Sequence, residues 1–232
     1  MDPIPITNGI SSLIFVVICL IVGSLILRNY FKFGNRDFLY VGVAWIGLGS
    51  PWWPSSMSFL VALFNEVGIA DQLYLFIGTF FLLFFILLWL LAIEDLIRFG
   101  TKHIIPLIFT IGSIIFEIMF LFLLFTNYTK LGEMVSPVDV NFTLLIILYQ
   151  GISLLLFFFT GLIFAIQSLK SKEPSINLKG KFLIIALVSF TIGTVFDILA
   201  TSPLTRGVLV ISAIIFYFGY ILTPGIKKLF IK

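Results

Sequence analysis

Apolar residues in this chain come in long blocks separated by short polar stretches, rather than at a strand period. Seven blocks are long enough to cross a hydrocarbon core ~30 Å thick. They are approximately Ile10–Leu27, Phe38–Leu63, Leu73–Ile93, Ile104–Phe125, Phe142–Ile166, Phe182–Ala200 and Val208–Leu222. The pattern predicts an all-α polytopic membrane protein, a single seven-transmembrane-helix bundle over residues 1–232, with Thr223-Pro224-Gly225 as a helix stop. Met1 to Gly9 holds no Lys or Arg, and no small-residue cleavage site follows Ile10 to Leu27. The first block therefore reads as a retained span rather than a signal peptide.

The second block is interrupted by Gly49-Ser50-Pro51-Trp52-Trp53-Pro54-Ser55-Ser56. Counted from Phe38, Pro51 falls about 20 Å up a helix, inside the hydrocarbon. The expectation is a helix kinked at Pro51–Pro54. A backbone opened there must be covered by protein or face a polar cavity, because lipid offers no hydrogen bonds. The alternative makes Trp52 and Trp53 interfacial anchors at the end of a tilted helix.

Composition agrees with the block pattern: of 232 residues, 60% are hydrophobic and only 11% charged. The net charge of +3 does not point to nucleic acid, since the basic residues sit in short loops between apolar blocks. Arg28, Lys32, Arg36, Arg98, Lys102, Lys170, Lys172, Lys179, Lys181, Lys227, Lys228 and Lys232 fall on one side of the expected membrane. Only Lys130 and Arg206 fall on the other. The positive-inside rule then puts the N-terminus outside and the C-terminus in the cytoplasm of a cell membrane, plasma or cytoplasmic. Asn127 to Asn141 reads as the longest outer loop. No folded output domain is attached, so a signal would need a membrane or cytoplasmic partner protein beside the lipid bilayer itself.

Two carboxylates lie within blocks, Glu117 and Asp197. Acids are costly in a bilayer and usually face the bundle interior or water. Counting along their helices puts Glu117 about 21 Å and Asp197 about 22 Å from the inner face, with Gln150 about 12 Å below the outer one. All three are thus expected in one layer, level with the proline pair. Ser113 shares a face with Glu117 at helical spacing, and Ser189 and Gly193 share one with Asp197. Such small and polar stripes also mark tight helix contacts, with the acids hydrogen-bonded across the bundle. The candidate ligand- or ion-binding residues are therefore Glu117, Asp197, Gln150, Trp52, Trp53 and Ser113.

Catalysis and cofactors are not expected. Cys19 and His103 are the only residues of their types and lie on separate segments, which leaves no nucleophile–base pair and no multi-histidine metal site. No glycine loop suited to phosphate is present. The predicted topology is that of rhodopsins and G-protein-coupled receptors. However, the last span has no Lys before Lys227 for a retinal Schiff base, and Glu94-Asp95-Leu96-Ile97-Arg98 lacks the receptors' acid-Arg-Tyr order. The leading expectation is a stand-alone, receptor-like sensor binding a small molecule in an outward pocket. The alternatives are a small proton-coupled transporter using Glu117 or Asp197, and a membrane scaffold subunit.

Overall fold

A computed structural model describes residues 2–97, 103–199 and 201–231. Arg98, Lys102, Ala200 and Lys232, each named above, lie outside the described residues.

The helices are α1 (Pro3–Phe33), α2 (Arg36–Leu48), α3 (Trp53–Asn65), α4 (Asp71–Thr79), α5 (Leu82–Ile97), α6 (Ile104–Thr126), α7 (Leu144–Leu169), α8 (Pro174–Leu199), α9 (Pro203–Ile221) and α10 (Pro224–Phe230). Local chemistry sets several boundaries. Gly34 takes the left-handed conformation (φ 69°) and its N–H bonds Tyr30 O, ending α1. Asn35 then caps α2 by accepting from Asp37 N at 2.9 Å. At the other end of the bundle, Ser202 and Thr205 form a reciprocal capping box that starts α9.

Six helical segments are long and apolar enough to cross a membrane: Pro3–Phe33, Asp71–Ile97, Ile104–Thr126, Leu144–Leu169, Pro174–Leu199 and Pro203–Ile221. The protein is therefore an all-α membrane protein in its main architecture. The second apolar block is not among them. It forms two 13-residue helices, α2 and α3, joined through a 3-10 turn at Ser50–Trp52. Pro51 and Pro54 each fall in the first turn of their element, where a missing N–H breaks no hydrogen bond. Trp52 N–H bonds Gly49 O at 3.0 Å, and Ser50 is fully buried, so the turn is covered by protein.

The segment expected as an outer loop is instead an antiparallel hairpin, β1 (Gly132–Ser136) and β2 (Asp139–Phe142), with an irregularity between Met134 and Ser136. Short strands give a weak sequence signal, although Val138-Asp139-Val140-Asn141-Phe142 does alternate apolar and polar residues. Buried anchors hold the hairpin on the helices. Tyr74 OH donates to Val138 O at 2.7 Å, Ser58 Oγ donates to Pro137 O, and Val138 is wholly buried.

At the bundle centre, Trp45 stacks on Phe216 with ring centroids 3.6 Å apart. Trp89, Phe157 and Phe190 pack around that pair. These five side chains form a packed aromatic layer, each at most 3% exposed. On one side of the layer, Asn35, Asp37, Leu96, Ser168, Lys179 and Tyr220 line a single cleft. This brings the α1–α2 link and the ends of α5, α7, α8 and α9 to one end of the bundle. The hairpin sits at the opposite end.

Candidate functional site

Five pieces of chain converge beneath the hairpin: the second turn of α1, the 3-10 turn with the start of α3, β2, the end of α8 and the start of α9. At the centre is Arg206, only 3% exposed. Its Nη2 donates to Asp139 Oδ1 at 2.9 Å, and its Nη1 donates to Asn8 O and, at 3.5 Å, to Ser55 Oγ. Its Nε lies 3.5 Å from Asp197 Oδ1, an ion pair without a hydrogen bond.

Asp197, 7% exposed, accepts from Thr205 Oγ1 at 2.6 Å on Oδ1 and from Trp52 Nε1 at 2.8 Å on Oδ2. Asp139 Oδ2 accepts from Asn8 Nδ2 at 2.9 Å and from Ser136 Oγ at 3.3 Å. Ser12 and Ser55 share a hydrogen bond of 2.9 Å alongside.

Each charge sits at the wrong end of its helix. Asp197 lies in the last turns of α8, where the helix dipole favours cations, and Arg206 in the first turn of α9, where it favours anions. Their helices do not stabilise them; their contacts with each other and with Asp139 do. Taking such ions out of water costs several kcal/mol apiece, which only close pairing and full hydrogen bonding offset. The cluster ties α1, α3, the hairpin, α8 and α9 together.

Beside the cluster lies a cavity of about 450 Å³. Asp139, Asp197 and Arg206 form its polar wall, with Asn8, Gln150, Ser153 and Thr194. Pro51, Trp52, Leu48, Ile86, Leu154 and Phe190 supply apolar surface, and residues Val135 and Asp139–Phe142 of the hairpin help to enclose it. Four buried polar atoms of its lining residues make no hydrogen bond among the described residues: Asn8 Oδ1, Gln150 Nε2, Ser153 Oγ, and Arg206 Nε, which is ion-paired with Asp197 instead. Buried polar groups are ordinarily paired, so unmet valences gathered on the residues of one cavity wall mark it as a place for a polar guest.

Of the residues singled out from sequence, Asp197, Gln150 and Trp52 meet at this cavity. Trp53 packs instead against Phe81 and Phe85. Glu117 is buried elsewhere. Tyr149 OH lies 3.4 Å from its Oε1, and its Oε2 has no partner among the described residues. Tyr149, Ser113 and Phe116 line a second, almost wholly apolar groove of about 560 Å³ between α6 and α7, with Phe116 stacked on Tyr149 at 3.8 Å. Equal depth does not bring the acids together, because depth along a helix says nothing about which neighbour its side chain faces.

Sequence reasoning misses Arg206, Asp139 and Asn8. By position Arg206 counts as an outer-loop cation; in the fold it is buried in the bundle. A signal is present in the sequence: a basic residue in the first turn of a helix, three positions after the Pro of a Ser-Pro start, is misplaced for a solvent-facing role.

No protein-family model matches the chain, and no curated protein resembles it closely enough to count as a match.

Proposed function

We propose that this protein is a receptor-like binding module of a cell membrane, rather than an enzyme, and that it takes a small polar-headed molecule into the cavity beneath the hairpin. The observation that carries this reading is that Asn8, Gln150 and Ser153, each with a buried polar atom unpaired among the described residues, line one cavity together with Asp139, Asp197 and Arg206. In this reading α2 and α3, kinked at Pro51–Pro54, make one further crossing and bring the spans to seven. The hairpin end then faces outside and the basic end the cytoplasm. A ligand touching Trp52, Asp197 and Arg206 touches three elements at once, so its arrival can shift how they pack. A membrane or cytoplasmic partner protein would read that shift, and a scaffold role for the bundle is the version of this reading without a ligand.

The transporter alternative draws support from Glu117, whose buried Oε2 is unpartnered among the described residues. Against it stands the packed, buried aromatic layer of Trp45, Trp89, Phe157, Phe190 and Phe216 at the bundle centre, which leaves little polar surface for a solute path there. Solute flux in proteoliposomes above protein-free controls would favour the transporter.

The test of the binding reading is thiol labelling of Gln150→Cys and Thr194→Cys in a Cys19→Ala background, using a membrane-impermeant reagent. Labelling from the hairpin side only is expected. Labelling from the basic side, or at neither position, would refute an outward cavity.

A further inference from the structure

The charge and hydrogen-bond balance of the cavity narrows what it can hold, given the reading of it as a ligand site. We propose that its guest is a monocationic amine with an apolar body. Two carboxylates face one guanidinium, and the other described residues lining the cavity are uncharged. With Asp139, Asp197 and Arg206 ionised, the wall carries one negative charge in excess. In a low-dielectric site that excess repels an anion and attracts a cation far more strongly than it would in water.

The free acceptor positions point the same way. Asn8 donates its Nδ2 to Asp139, which fixes the orientation of the amide and leaves Oδ1 as a buried acceptor with nothing to accept. Asp197 Oδ2 takes one bond, from Trp52 Nε1, and keeps a second acceptor position. Arg206, the one cation at the wall among the described residues, is engaged by both acids, Asn8 O and Ser55, its Nε through the ion pair with Asp197 alone. An ammonium group supplies the donors that Asn8 and Asp197 lack. Trp52 and Phe190 add aromatic surface to the wall, and Leu48, Ile86 and Leu154 give the body of the molecule an apolar bed. Gln150 and Ser153 remain for a hydroxyl or carbonyl on the same guest.

Three probes of matched shape test this: 2-phenylethylammonium, 2-phenylethanol and 3-phenylpropanoate, titrated against the full chain in phosphatidylcholine nanodiscs while thermal unfolding is followed. A ligand of the native state raises the unfolding temperature saturably. The ammonium ion should bind at least about tenfold more tightly than the alcohol, the scale of one charge-assisted hydrogen bond, and the carboxylate should give no shift. Asp197→Asn should weaken the ammonium about tenfold or more and leave the alcohol unchanged.

Equal or stronger binding of the alcohol or the carboxylate would overturn the amine assignment while leaving a ligand cavity. So would an Asp197→Asn variant that loses both probes equally. No shift with any probe would also overturn it, and the labelling of Gln150→Cys then decides separately whether the cavity opens outward. If Asp197→Asn does not fold, the order of the three probes on the natural chain decides alone.

Discussion

Arg206 is the residue on which the hairpin end of the bundle depends. Replacing it with Leu strands Asp139 and Asp197 together in a buried site, and breaking one partner from such a cluster typically costs about 3–5 kcal/mol. Thermal unfolding in detergent should show that loss. Combining Arg206→Leu with Asp139→Asn and Asp197→Asn should recover much of it, since no buried charge is then left unpaired. A triple variant as unstable as the single one would mean that Arg206 acts through packing alone. Half of the site is legible in the sequence. Asp197, Gln150 and Trp52 declare themselves because an acid, an amide and a proline-flanked indole are out of place in a lipid-soluble chain. Asn8, Asp139 and Arg206 lie near span ends or in a short hairpin, where polar residues are ordinary, so only three-dimensional contact marks them out.

Among the elements, the α2–α3 break and the α1–α2 contact carry the most consequence. Pro51 and Pro54 cost little where they stand, because each occupies a first turn. Their use is positional: the 3-10 turn aims the Trp52 indole at Asp197. Pro51→Ala with Pro54→Ala allows α2 to run on into α3, which helix propensity alone would reward. We expect the opposite, a loss of about 1–3 kcal/mol as the Asp197 oxygen loses its donor, read by unfolding and by a change in Trp fluorescence. A variant as stable as the natural chain would reduce the break to a local accident of composition. Where α1 meets α2, a Cβ added at Gly42 would sit 2.8 Å from Leu27 N and 2.9 Å from Gly23 O. Gly42→Ala must therefore push the helices apart, at about 1–3 kcal/mol, and the same unfolding measurement checks it. The long helices are readable in the sequence because an apolar block of about twenty residues has one stable form in lipid. The two strands are not, because short segments pinned by Tyr74 and Ser58 owe their form to tertiary contacts.

At the scale of the whole molecule, counting crossings bears on how the termini sit. Six spans alone would return the chain to the side on which it began. Yet the link after α1 and the end of α9 meet at one end of the bundle, as Asn35 and Tyr220 of the same cleft attest, while Asn8 in the second turn of α1 lies at the other. That arrangement supports the proposal that the α2–α3 segment traverses the thickness like the rest, despite its interruption. The basic residues supply the direction. Arg28, Lys32, Arg36 and the Lys170–Lys181 group lie on the helix ends and links toward the Asn35–Tyr220 end, which faces the cytoplasm if positive residues stay inside. Arg206, removed from that comparison by its burial, no longer counts as an outer charge, and the asymmetry sharpens. Epitope tags placed before Met1 and after Lys232 should accordingly lie on opposite sides of the membrane. In intact cells, antibody or protease should reach the N-terminal tag and reach the C-terminal tag only after permeabilisation. Both tags on one side would reduce α2–α3 to a re-entrant segment. The reverse arrangement would turn the cavity of Asp139, Asp197 and Arg206 toward the cytoplasm and make its guest an intracellular molecule.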